Sequence, residues 1–208
     1  FMALTTLCAF AQTDAEKASA EEREALKYMD AGNYEKAAAY YKNALKLNPG
    51  DLKYQYGLAL AFYRAENYPK AIEFAEKTLQ NNPDLDCYRL LGNSYDLNNE
   101  YEKGMAVLQK AFERFPGNGA LYLDMGVIEL IRNHPQTAID HWEKGIKSDP
   151  SFADNYFLAA QTYAGSDRKV WALLYGEVFM NLERGTARWD TMSHLLYNLY
   201  NGLLTDSK

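Results

Sequence analysis

Cysteine is almost missing from this chain: 208 residues contain two, Cys8 and Cys87. A multi-disulfide scaffold is excluded at once. Histidine is nearly as rare, with three residues, His134, His141 and His194. No His-x3-His pair and no paired-cysteine spacing occurs, so the sequence offers no zinc-type ligand set. No glycine-rich phosphate loop is present either; the 13 glycines fall at turns and helix crossings. Asp84 and Asp86 open a helical run and read as cap residues rather than an acid–base pair. Cys87 has no histidine near it in sequence and reads as a small packed side chain. No cofactor and no catalytic residue is expected. Positive charge is in deficit, with 22 Lys and Arg against 28 Asp and Glu, for a formal charge of -6. That excludes nucleic acid as the main partner and disfavours anionic lipid headgroups. After the first residues no run of about 18 apolar residues occurs, so no membrane-spanning helix is expected.

Proline is sparse too, at six residues, yet four of them keep time. Pro49, Pro83, Pro116 and Pro150 stand 34, 33 and 34 residues apart. Each closes a similar stretch: "GNYEKAAAYYKNALKLNPG", "ENYPKAIEFAEKTLQNNPD", "NEYEKGMAVLQKAFERFPG" and "NHPQTAIDHWEKGIKSDPS". Asn33, Asn67 and His134 stand where an N-cap is needed. Pro69 and Pro135 fall in a first helical turn, where a missing N–H costs little. Ala37, Tyr40, Tyr41 and Ala44 share one helical face, as do Ala138, Trp142 and Ile146. A period near 34 with paired helices is a helical-repeat signature.

The third unit carries Tyr88, Leu91-Gly92, Tyr95, Ala111 and Pro116. The second has Leu58-Ala59, Phe62, Ala71 and Pro83. The fourth has Tyr122, Met125-Gly126, Ala138, Trp142 and Pro150, with Glu129 where an aromatic belongs. The first has Ala25, Tyr28, Ala37, Tyr41, Ala44 and Pro49, with Glu21 and Glu24 at positions normally apolar, which suits a terminal unit facing water. The chain resembles the tetratricopeptide repeat family on these residues. Tyr156, Ala159-Ala160, Tyr163 and Ala172 form a fifth, degenerate unit. The implied fold is all-α: an α-solenoid of about five helix-turn-helix repeats with a C-terminal capping helix. The expected bounds are an array over 18–184, with repeats near 18–51, 52–84, 85–118, 119–152 and 153–184, and a cap over 186–204. Trp189, Met192, Leu195, Leu196, Leu199, Tyr200 and Leu203 would share the cap's inward stripe.

The resemblance implies binding rather than catalysis, along a concave wall built from the first helix of each pair. Its residues would include Tyr56, Leu60, Tyr63 and Arg64, then Arg89 and Asn93, then Leu123, Val127, Leu130 and Phe157. The partner expected there is a protein or peptide. Some family members clamp a C-terminal carboxylate with Asn and basic residues. Arg89 and Asn93 match part of such a clamp, but Gly57 and Asp124 occupy its other places, so the clamp is not expected. The rival readings are a structural subunit whose groove its own helices fill, and an accessory domain of a larger enzyme.

The opening "FMALTTLCAFAQTDAEK" passes abruptly from apolar to polar. Ala9-Phe10-Ala11 fits a signal-peptidase site, so 1–11 reads as a signal-peptide remnant and the chain as exported to the periplasm or cell envelope. The other reading makes the run an ordinary apolar helix beginning at Met2. If it stays attached, it could fill its own groove or a neighbour's and so make a homodimer. The leader, the asparagine-rich turns and the segment "WALLYGE" together resemble exported repeat proteins of Bacteroides-type bacteria.

Overall fold

The computed structural model describes residues 13–81 and 83–205. The opening apolar run, and the readings placed on it, lie outside the described residues. Eleven α-helices and no strand occur among the described residues. The chain forms two compact units that divide after Asn99.

The first unit holds α1 (Asp14–Asp30), α2 (Tyr34–Leu47), α3 (Leu52–Arg64), α4 (Tyr68–Asn81) and α5 (Leu85–Leu97). Helix α1 starts in a capping box: the Thr13 hydroxyl accepts from Glu16 N–H, and the Glu16 carboxylate accepts from Thr13 N–H at 2.7 Å. Asn33 caps α2, Asp51 caps α3 and Asp84 caps α5 through their side-chain oxygens. The core is built from small residues and aromatics: Ala18, Ala25, Ala37, Ala44 and Ala61 are fully buried, with Tyr41, Leu58 and Phe62 between them. The small residues let antiparallel helices approach closely, and the rings fill the remaining gaps.

The second unit holds α6 (Tyr101–Ala111), α7 (Gly119–Ile131), α8 (Pro135–Ser148), α9 (Ala153–Ala164), α10 (Lys169–Leu182) and α11 (Ala187–Thr205). Helix α6 has 11 residues where α2, α4, α8 and α10 each have 14. It has no side-chain cap, and it unwinds after Ala111 into short-range turns well before Pro116. One buried cluster gathers Ala138, Ile139, Trp142, Ala159, Tyr163 and Ala172, and a second joins Tyr156, Ala160, Leu173, Phe179, Met192 and Leu196. Helix α11 enters that second cluster with Met192 and Leu196, whereas Tyr200 and Leu203 of its expected stripe remain 44% and 40% exposed.

The turns inside the pairs share one device. Gly32, Glu66, Asn99 and Asn133 all have left-handed backbone, with φ of 72°, 57°, 64° and 63°. The residue after the turn donates back across it, as in Asn33 N–H to Tyr28 C=O, Asn67 N–H to Phe62 C=O and His134 N–H to Glu129 C=O, at 2.8–2.9 Å. These bonds satisfy carbonyls that a helix end would otherwise leave unpaired. Glycine and asparagine are at ease there, whereas Glu66 takes the same conformation at a steric cost.

Candidate protein-binding surface

The residues expected on the wall are divided between the two units. In the first, Tyr56, Leu60, Tyr63 and Arg64 follow one another on one side of α3, and Arg89 and Asn93 sit one turn apart on α5. All are half-buried except Arg64, which is exposed. Tyr56 faces the start of α5. Burial, with Asp86 and Cys87 beside it, pushes its hydroxyl up to about 12, against the pull of the Arg89 guanidinium. Tyr63 turns its ring edge-on to Tyr68, with centroids 6.0 Å apart.

In the second unit Leu123 and Val127 are half-buried, with their inner sides packed on the cluster around Trp142. Leu130, one turn further along α7, is 38% exposed. Phe157 of α9 is more covered than an open wall would leave it. Its ring lies 4.9 Å from Phe179, and the Arg188 guanidinium sits 5.3 Å above it. Arg188 also donates to Asp154 of α9 at 2.6 Å and to Glu183, which fixes the start of α11 across α9. These carboxylates hold the guanidinium's pKa well above its usual range.

Sequence reasoning missed the polar cluster around Glu129. Glu129 is 4% exposed, although it occupies the place of an aromatic. It accepts from the Tyr101 hydroxyl at 2.6 Å and meets His134 Nδ1 at 2.9 Å. Arg132 lies over the Tyr101 ring at 4.1 Å. Burial would raise the Glu129 pKa, but the bonds from Tyr101 and His134 outweigh it and hold the carboxyl below its usual value. The usable signal was Tyr101 and His134 at the mouths of consecutive turns, each able to reach an acid at the end of α7. A neighbouring pocket of ≈ 370 Å³ is lined by Phe112, Tyr122, Met125, His141 and Lys144, among others.

His141 Nδ1 is buried there with no hydrogen-bond partner among the described residues. Burial, then Lys144, lowers the His141 pKa below 6.5, against the opposing pull of Glu129 and Asp140. The folded state thus disfavours protonation. This contribution is complete above the unfolded value and is lost as pH falls through it toward the folded one. Urea unfolding at pH 7 and pH 5 is expected to show a larger loss of stability on acidification in the native chain than in His141→Gln. Equal losses would remove His141 as the cause.

Cys87 is fully buried. Burial, followed by its bond to Asp84, pushes its thiol up to about 12, which leaves very little thiolate at neutral pH. Among the described residues no group of three or more His, Cys, Asp or Glu is placed to hold a metal ion. None of the described helices is long and apolar enough to cross a membrane.

Models of the tetratricopeptide repeat match residues 22–86 and 85–118. A curated relative, the BBSome complex member BBS4 of Bos taurus, is 26% identical over 120 residues, or 58% of this chain; the match spans 23% of that protein's length. Among solved structures, a thermophilic tetratricopeptide protein of Thermus thermophilus superposes with a TM-score of 0.65 at 20% identity, covering 90% of this chain and 99% of that one. PilF of Pseudomonas aeruginosa gives 0.64 at 20% identity, covering 90% and 86%. A MamA structure from Desulfovibrio magneticus gives 0.60 at 19% identity, covering 85% and 99%. Residues 22–118 of this chain are tetratricopeptide repeats, and its eleven described helices have the all-α helical-repeat fold of such proteins.

Proposed function

We propose that this chain is a non-catalytic scaffold that binds a protein or peptide on the first-helix faces of its repeats. The observation that carries the reading is the row Leu123, Val127 and Leu130 on α7. The inner sides of Leu123 and Val127 rest on core, Leu130 is exposed beyond them, and the row's outer sides are left to solvent, in a repeat whose packing needs are met by Tyr122, Met125 and Gly126. Apolar side chains held rigidly from behind and open in front suit an apolar helical ligand. The high thiol pKa of Cys87 supports the non-catalytic part. A relative named as a member of a complex supports a role inside an assembly. Export to the periplasm or envelope is part of the proposal and is supported by Ala9-Phe10-Ala11; cell fractionation tests it.

The binding test uses a synthetic FMALTTLCAFA peptide and the chain without residues 1–11. Saturable binding is expected in titration calorimetry, and Val127→Asp on α7 should abolish it. Leu130→Asp, at a more exposed place, should also weaken binding while leaving the helical circular dichroism unchanged. No binding by the native α7 face, or binding that both variants retain, would defeat the reading.

A further inference from the structure

Helices α8 and α10 have the same length, and α10 lies 34 residues further along the chain. Their buried positions correspond: Ala138 with Ala172, Ile139 with Leu173, Trp142 with Gly176, and Gly145 with Phe179. The two helices therefore turn the same side inward. Their outer sides differ in kind. On α8 the exposed positions hold Gln136, Thr137, Asp140, Lys144 and Ser148. The equivalent positions of α10 hold Val170, Trp171, Leu174, Val178 and Leu182, all between 40% and 59% exposed. Helix α4 follows α8, with exposed Lys70, Glu73 and Lys77 at three of these places. The repeat itself leaves this face wet, and only α10 of the three makes it apolar.

Val170, Leu174, Val178 and Leu182 form one straight i, i+4 ridge, about 18 Å long at 1.5 Å per residue. Trp171 beside it is held in place by Tyr175 at 5.9 Å and Tyr163 at 6.4 Å, so it is a pre-positioned anchor. We propose that this ridge pairs with the same ridge of a second copy of the chain, α10 against α10, about a two-fold axis. Ridges of this kind interdigitate with their own kind in the commonest class of helix packing. Charge favours the choice. The chain carries -6, but residues 167–190 contain Arg168, Lys169, Arg184 and Arg188 against Asp167, Glu177, Glu183 and Asp190, a balance of zero. A second copy therefore meets little repulsion here. The outer faces of α4 and α8 offer the ridge no apolar match, so the contact closes as a self-matched pair rather than growing into a filament. A single ridge about 18 Å long on a helix about 10 Å across offers well under the roughly 800 Å² per partner of a standard interface, which makes the pair weak, with a Kd of about micromolar order.

The inference is independent of the peptide-binding reading, and the α7 variants used there should leave it untouched. Sedimentation equilibrium of the full chain, from about 0.05 to 300 µM, is expected to show mass rising from near one chain toward two, as a Kd of that order requires. Leu174→Lys with Val178→Lys should weaken association roughly a hundredfold, as loss of a central contact does. These positions are on the outside, so thermal unfolding should be unchanged. Leu174→Glu with Val178→Glu should do the same, and mixing the two charged forms should restore pairing. A single-chain mass at every concentration would overturn the proposal, whether the ridge is then found on a phosphatidylglycerol vesicle or under residues 1–11. So would a dimer indifferent to both charged forms.

Discussion

Trp142→Ala is expected to lower the unfolding free energy by about 3–5 kcal/mol, the range for deleting a fully enclosed Trp or Phe side chain. Trp142 has no exposed surface at all. It reaches from α8 across α7, where its Nε1 donates to the Leu123 carbonyl at 3.2 Å. Its ring lies in the same cluster as Tyr163 and Ala159 of α9. Deletion would leave a void between three helices and an indole-sized loss of dispersion contacts. Total stabilities of domains lie near 5–15 kcal/mol, so this one change would consume much of what holds the second unit. Urea denaturation followed by circular dichroism measures it without depending on the deleted fluorophore. A loss below about 1 kcal/mol would mean that the neighbours collapse into the gap, contrary to the rigid packing seen here.

The sequence made Trp142 legible because its neighbours repeat. Ala138, Trp142 and Ile146 share a helical face, and Gly126 stands where the period places a small residue. The same logic exposed the caps at Asn33 and Asp84. What stayed illegible was whatever the period does not carry. The left-handed turn residue is Gly, Glu, Asn and Asn in successive repeats, so no residue type announces it; only the backbone conformation is shared. Glu129 looked like a defect in the aromatic pattern, and its burial made sense only once Tyr101 and His134 were seen to satisfy it. The inward stripe expected of α11 was only partly right. Met192 and Leu196 meet α10 at Gly176, but Tyr200 lies at the edge, its hydroxyl donating to Glu177 at 3.1 Å. The apolar outer face of α10 was written in the sequence. It separates from core only when α10 is laid on α8 at 34 residues.

Gly126→Ala is expected to change sign with its background. An added Cβ at Gly126 would stand 2.2 Å from Trp142 Nε1 and 2.6 Å from Cδ1 and Cε2. No real Cβ tolerates that approach, so the indole must shift and surrender its bond to the Leu123 carbonyl. Overpacking of this kind costs about 1–3 kcal/mol, and the enclosed ring puts it at the upper end. Alanine repays about 1 kcal/mol of that through its helix propensity over glycine. The net loss in the native chain is therefore about 2 kcal/mol. In Trp142→Ala the obstructing ring is gone, the propensity gain stands alone, and the new methyl fills part of the void. There Gly126→Ala should stabilise by about 1 kcal/mol, which makes the coupling between the two sites about 3 kcal/mol. The first unit has the same crossing: a Cβ at Gly57 would meet the Tyr41 ring at 2.5 Å. Gly57→Ala should therefore show the same reversal against Tyr41→Ala. Four chains measured in urea for each crossing decide the matter. If the alanine destabilises both backgrounds equally, the small residue is required by the backbone rather than by the ring, and the packing account of these crossings fails.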